Sequence, residues 1–88
     1  MMNSITMPDA SFTPIQWHDA FAEGEKRIKE NILDTLIKTP AGDRSRLMAQ
    51  REIVQKKIAR ALEENDSNKL KLAFKAQVAL LAKMSEIS

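Results

Sequence analysis

The chain has 88 residues, of which 43% are hydrophobic and 30% are charged, and its formal net charge at pH 7 is +2. This length allows one domain at most, near the size at which a single core gives only about 3–5 kcal/mol of net stability. The absence of cysteine excludes disulfide bonds and thiolate metal sites, and the single histidine cannot build a zinc site alone. No apolar run approaches the roughly 20 residues that span a bilayer.

The composition predicts an all-α fold. All three prolines lie in the first 40 residues, and the rest of the chain is rich in strong helix formers. We predict a flexible N-terminal lead at 1–12 and one helical domain at 13–88, built as a helical hairpin with a third helix. The lead has no basic residue and no apolar segment typical of a secretory signal peptide, so we expect synthesis in the cytoplasm.

The first helix has several mutually consistent start signals. Thr13 is suited to the N-cap, Pro14 to the first turn, and Gln16 to the third position of a capping box. Phe12 and Trp17 have the spacing of a hydrophobic staple. These signals predict a helix that begins at Thr13.

We place this first helix at 13–38, and its apolar residues recur at helical spacing. The stripe consists of Trp17, Phe21, Ile28, Ile32 and Leu36, widened by Leu33 and Ile37. Gly24 falls inside the stripe and costs about 1 kcal/mol of helix relative to alanine. It marks either a close approach of another helix or a tolerated weak point, and we favour the second interpretation.

A turn is predicted at 39–43. Pro40 disfavours helix at the residue before it, and Gly42 tolerates a positive φ. Asp43 or Ser45 is then suited to cap the second helix.

The second and third helices are predicted at about 45–64 and 69–86. The second carries a stripe of Leu47, Val54, Ile58 and Ala61, flanked by Ile53 and Leu62. The third carries Leu70, Phe74, Val78 and Leu81, widened by Ala73, Leu80 and Met84.

Between these helices, residues 65–68 all prefer caps and turns to helix interiors. In a continuous helix, the 20 residues from Val54 to Phe74 would rotate the stripe by roughly 200° and oppose the two apolar faces. We therefore favour a bend that lets both faces meet one core. A straight helix with two apolar sides is the alternative, and it suits a polymer.

Catalytic arrangements are not predicted. His18 and Asp19 are adjacent and so point about 100° apart on a helix. Glu23 and Glu30 lie two turns apart, as solvent-facing carboxylates often do. We expect no enzymatic activity, no catalytic or metal-binding residues and no cofactor.

The second helix has one candidate basic face, formed by Arg46, Lys56, Lys57 and Arg60. Such a face can follow a phosphate backbone. However, Asp43 and Glu52 dilute its charge, and no aromatic residue accompanies it for base stacking. We favour a solvated charged face over a nucleic-acid site.

The aromatic residues and the apolar stripes are candidates for the core or for protein contacts. Trp17, Phe21 and Phe74 carry most of the aromatic surface, and Trp17 and Phe21 are the candidates for intermolecular anchors. Three short amphipathic helices offer little core for one chain, so we expect association with copies of itself or with another protein.

The layout resembles the small needle and inner-rod subunits of type III secretion systems. The matching elements are the lead at 1–12, Trp17, the turn at 39–43, Leu47-Met48 and the apolar segment at 74–84. The resemblance implies export through a secretion channel and polymerisation as a helical hairpin, with Leu47-Met48 and 74–84 facing the polymer. The small helical chaperones of these systems are a second interpretation. The sequence thus predicts a non-enzymatic helical assembly subunit, with a chaperone or adaptor as the first alternative and a nucleic-acid-binding module as the second.

Overall fold

Three helices form the part of the chain that the structure, a computed structural model, describes, which is residues 12–87. They are α1 at Pro14–Lys38, α2 at Ala41–Glu64 and α3 at Ser67–Ile87. No strand occurs in this range. The predicted all-α fold with three helices is therefore confirmed, whereas the predicted flexible lead lies outside the described residues except for Phe12.

The start of α1 matches its prediction. The backbone N–H of Gln16 donates to Thr13 Oγ1 at 3.2 Å, and the Thr13 N–H donates to Gln16 Oε1 at 2.8 Å. This reciprocal pair is a capping box with Pro14 in the first turn. The Phe12 and Trp17 rings lie with their centroids 5.6 Å apart, which completes the predicted staple.

The connection between α1 and α2 is shorter than the predicted turn at 39–43. Only Thr39 and Pro40 lie outside the helices, and Pro40 occupies the N-cap position of α2. Its extended ψ of 141° lets the chain turn before the helix begins. Gly42 has no positive φ, and neither Asp43 nor Ser45 caps α2. The prediction of a five-residue turn is therefore wrong, because proline alone breaks the helix there.

The predicted bend between α2 and α3 is confirmed, but it occupies two residues. Asn65 closes α2 in the left-handed conformation, with φ 51° and ψ 42°, which asparagine tolerates better than most residues. Asp66 Oδ1 then accepts hydrogen bonds from the N–H groups of Asn68 and Lys69 at 2.9 and 3.4 Å. This N-cap lets α3 begin at Ser67, two residues earlier than predicted.

The α3 helix lies between the other two and packs against both, whereas α1 and α2 contact each other less. The arrangement is flat, with principal extents of 41 × 33 × 16 Å. Its core has two clusters. The first contains Trp17, Phe21, Ala61, Leu70, Ala73 and Phe74, and the second contains Ile28, Leu47, Val54, Leu80 and Met84.

Gly24 marks a close contact between α1 and α3. It is buried, and a Cβ added to it would overlap the side-chain amide of Gln77. Gln77 Nε2 donates a hydrogen bond to the carbonyl oxygen of Phe21 at 3.1 Å. The favoured interpretation of Gly24 as a tolerated weak point is therefore wrong, because the absent side chain makes room for this amide.

Candidate interaction site: the α2–α3 groove

Most of the predicted stripe residues lie in the core of the chain itself. Eight of them are buried, namely Trp17, Phe21, Ile28, Leu47, Val54, Ala61, Leu70 and Phe74. Five others are only partly buried, namely Ile32, Leu36, Ile58, Val78 and Leu81. Leu33 and Ile37 do not widen the buried face of α1, because their side chains are 73% and 74% exposed.

The aromatic residues make their contacts within the chain. Trp17 is 3% exposed, and its ring lies 5.8 Å from that of Phe21 and 6.5 Å from that of Phe74 between centroids. The Phe21 and Phe74 rings are 6.0 Å apart in an edge-to-face arrangement. Aromatic pairs packed in this way stabilise a fold by more than the burial of their apolar area alone. In this conformation Trp17 and Phe21 stabilise the domain and leave no aromatic surface for a partner.

The core includes a buried polar residue that the sequence reasoning missed. Gln77 is 1% exposed and lies on the same face of α3 as Phe74 and Leu80, three residues from each. That spacing was a usable signal, but glutamine is usually exposed and so was not assigned to the core.

The four residues of the predicted basic face of α2 do not all lie on one side of the helix. Lys56 lines none of the depressions between α2 and α3 and forms an exposed ion pair with Glu52 at 3.4 Å. Arg46, Lys57 and Arg60 instead lie on the side of α2 that adjoins α3. Sequence spacing alone did not separate Lys56 from the other three.

Three adjoining depressions run along the seam between α2 and α3. The middle one shares Lys57 with one neighbour and Lys83 with the other. We name this surface the α2–α3 groove. Its principal side chains are Arg46, Gln50, Ile53, Lys57 and Arg60 from α2, and Lys69, Leu72, Ala76, Ala79 and Lys83 from α3.

The middle of the groove is apolar and open to solvent. Ile53 is 52% exposed and Leu72 is 63% exposed. Ala76 and Ala79 have short side chains and leave space between the two helices. An open apolar surface bounded by polar groups is a common feature of protein interaction sites.

The rim of the groove is basic. Arg46 and Lys57 form no ion pair with any residue that the structure describes, and Lys83 Nζ donates to Gln50 Oε1 at 3.0 Å. At one end, Glu64 pairs with both Arg60 and Lys69 and reduces the positive charge there. The positive charge that no ion pair balances is therefore concentrated along the rest of the rim, as far as Arg46.

Helical periodicity explains how the groove arises. Residues 46, 50, 53, 57 and 60 follow each other at intervals of three or four, as do residues 69, 72, 76, 79 and 83. Each series forms one side of its helix, next to the buried stripe. The sequence predicts part of the first series as a basic face, but it does not predict the second series as a surface. The pairing of the two sides depends on how α2 and α3 pack.

Polar side chains also join α1 to α2 on the opposite side of α2. Arg51 Nη2 lies 3.0 Å from Glu25 Oε2, and Gln55 Nε2 donates to the same oxygen at 3.2 Å. The Arg51 and Glu25 side chains are only 19% and 24% exposed. Because the two charged side chains pair with each other and are largely shielded from water, the cluster holds α1 and α2 together.

His18 and Asp19 are both exposed on α1. Within residues 12–87, His, Asp and Glu side chains do not gather in any group of three or more that could hold a metal ion. None of the three helices combines the length and the apolar character needed to cross a bilayer.

Comparison with known proteins does not add a family to these observations. No protein-family model, curated protein or solved structure matches this chain. The chemistry of the α2–α3 groove is therefore the main structural basis for assigning a function.

Proposed function

We propose that this protein is a non-enzymatic helical adaptor or chaperone that binds another protein through the α2–α3 groove. The observation that carries the proposal is the exposure of Ile53 and Leu72 in two adjoining depressions between α2 and α3. Exposed apolar residues on α1, such as Leu33, project from a single helix and have charged neighbours. In the groove, the exposed apolar side chains come from both helices, Ile53 from α2 and Leu72 from α3.

The bent chain supports an adaptor over a polymer-forming subunit. A rod or needle built from a helical hairpin would use a long straight second helix, whereas the left-handed conformation of Asn65 and the cap from Asp66 end α2 and start α3. The burial of Trp17 also leaves the domain with a core of its own. A structural subunit of a rod is the alternative function.

The cellular setting of the proposal rests on the resemblance of the sequence layout to type III secretion subunits. We propose that the partner belongs to an apparatus of that kind. In this setting the protein would hold a helical component of the apparatus before or during assembly.

Light scattering behind size exclusion, over a wide range of protein concentrations, separates the two functions. We expect a monomer or a small oligomer whose mass does not grow with concentration, because the core is closed within one chain. Far-UV circular dichroism on each pool would check that the helices persist. Growth into large helical species would contradict the adaptor proposal and support a polymer-forming subunit.

Site-specific photo-crosslinking tests whether the groove contacts a protein. A photoreactive phenylalanine analogue would replace Ala79, which is exposed in the groove, or Ala22, which is exposed on α1 as a matched control. In cells that produce the protein, we expect a crosslinked protein adduct from position 79 only. Equal crosslinking from both positions, or none from position 79, would contradict the assignment of the groove.

A further inference from the structure

We infer that the partner of the α2–α3 groove is an amphipathic helix whose apolar stripe is flanked by Asp and Glu side chains. This inference rests on the proposed function and specifies the chemistry of the partner. Three features of the groove carry it: its apolar floor, its length and its uncompensated basic rim.

The floor has the form that accepts a helix. Ile53 of α2 and Leu72 of α3 line adjoining depressions, and both are more than half exposed. Ala76 and Ala79 line the same depression as Ile53 without filling it. A row of side chains on a partner helix can enter such a groove and bury its apolar groups against both α2 and α3. Water contacts all four of these side chains until a partner covers them.

The length of the groove sets the length of the partner. Its principal side chains extend along α3 from Lys69 to Lys83. At 1.5 Å per residue this distance is about 21 Å, so a partner helix of about 15 residues would cover it. Such a helix presents about four turns, with apolar residues at intervals of three and four.

The positive charge of the rim favours acidic residues on both sides of the apolar stripe of that helix. Within residues 12–87, five basic side chains line the three depressions, whereas Asp43 is their single acidic residue. Arg46 and Lys57 have no carboxylate partner among the described residues. Carboxylates on a docked helix would supply these partners, and such rim charges mainly set the orientation and the rate of association.

The same surface is poorly suited to nucleic acid. A phosphate backbone would meet Ile53 and Leu72 in the middle of the groove, where it needs polar donors. Binding of single strands usually relies on exposed aromatic side chains, whereas Trp17, Phe21 and Phe74 are buried. The apolar floor therefore favours a helix over a nucleic acid.

The first test compares fluorescence anisotropy of three labelled probes with the full-length protein. Two are designed 15-residue helical peptides that share one leucine stripe and carry either glutamate or lysine flanks. The third is a short single-stranded oligonucleotide. We expect the glutamate peptide to bind at least about tenfold more tightly than the lysine peptide. Equal binding of both peptides, no binding of the glutamate peptide, or tighter binding of the oligonucleotide would overturn the inference.

Charge reversal of the rim gives a second, sharper test. In the double variant Lys57→Glu with Lys83→Glu, we expect the glutamate peptide to bind at least about tenfold more weakly and the lysine peptide to gain affinity. The matched control is Lys26→Glu with Lys29→Glu, two exposed lysines on α1 whose reversal changes the net charge by the same amount and should leave both affinities unchanged. A loss of affinity in the control equal to that in the double variant would show that net charge, not the groove, drives binding.

A third variant tests the floor. Ile53→Ser with Leu72→Ser should lower the affinity for the glutamate peptide by about tenfold or more, because it removes apolar area from the contact. Leu33→Ser with Ile37→Ser, at sites 73% and 74% exposed on α1, is the matched control. All of these substitutions are at exposed positions, so circular dichroism should show unchanged folding. A crosslinked protein at position 79 with no preference for glutamate flanks would leave the proposed function standing while this inference fails.

Discussion

The side-chain amide of Gln77 in α3 lies directly against the backbone of Gly24 in α1. Its Nε2 group donates a hydrogen bond to the carbonyl oxygen of Phe21 at 3.1 Å, and the residue is 1% exposed. A buried amide must keep its hydrogen bonds, since leaving such a group unpaired costs about 1–3 kcal/mol. Because only glycine leaves room for this amide, the contact fixes the position of α1 on α3.

Gly24→Ala tests this contact. Alanine favours helix by about 1 kcal/mol, but its Cβ would displace the Gln77 amide from its hydrogen bond. We expect the second effect to dominate and the free energy of unfolding to fall by about 1–2 kcal/mol. Urea denaturation followed by far-UV circular dichroism measures the change.

Gly42→Ala is the matched control for that substitution. A Cβ at Gly42 would approach no atom within 4 Å beyond its chain neighbours and the backbone of its own helix, and Gly42 lies in the first turn of α2 without a positive φ. We expect this change to raise the free energy of unfolding by up to about 1 kcal/mol. If Gly24→Ala stabilised the protein to the same extent, the contact with Gln77 would have no structural importance.

Trp17→Ala should remove much of the stability of the domain. The side chain is 3% exposed and contacts three other aromatic rings. Replacing a buried aromatic side chain with alanine costs about 3–5 kcal/mol, comparable with the whole stability of a domain this small. We expect thermal unfolding by circular dichroism to show a chain that is largely unfolded at 37 °C.

Trp17→Phe and Ile15→Ala provide the comparison for that variant. The first keeps part of the aromatic packing, so it should remain folded with a lowered melting temperature. The second removes a side chain that is 73% exposed on the same helix, so it should leave the melting temperature nearly unchanged. A Trp17→Ala variant as stable as Ile15→Ala would contradict the core assignment.

Asp66→Ala should weaken the start of α3. The carboxylate accepts two backbone hydrogen bonds there, and the loss of an N-cap costs about 1 kcal/mol. Asp66→Asn is the control, because asparagine caps helices equally well. Urea denaturation should separate the two variants by about that amount, and equal stability would mean that the cap contributes nothing.

Glu25→Ala should loosen α1 from α2. The Glu25 carboxylate accepts from both Arg51 and Gln55, and the ion pair is mostly shielded from water. Leaving Arg51 without this partner should lower the free energy of unfolding by about 1–2 kcal/mol. The control is Glu23→Ala, which removes an exposed pair with Arg27 within one helix and should cost at most about 0.5 kcal/mol. Indistinguishable denaturation curves for the two variants would contradict the assigned role of Glu25.

The local signals of the sequence determined the elements of this fold. The capping box at Thr13, the staple between Phe12 and Trp17, and the opposed stripes before and after residue 65 all act within a few residues. Such interactions depend on helical geometry alone, so spacing along the chain was enough to predict them. The turn at Pro40 is shorter than predicted. The prediction includes Gly42 in the turn because glycine tolerates a positive φ, although glycine can also lie in a helix.

Only the tertiary structure decided which surfaces became core and which became the candidate site. Periodicity identified Leu70 and Phe74, but it did not reveal that Gln77 would be buried against Gly24. It also did not join Lys57 to Leu72 and Lys83, which lie on different helices. The physical reason is that spacing determines which side chains share one helix face, whereas the contact between two faces depends on how the helices pack. The α2–α3 groove exists only as a product of that packing.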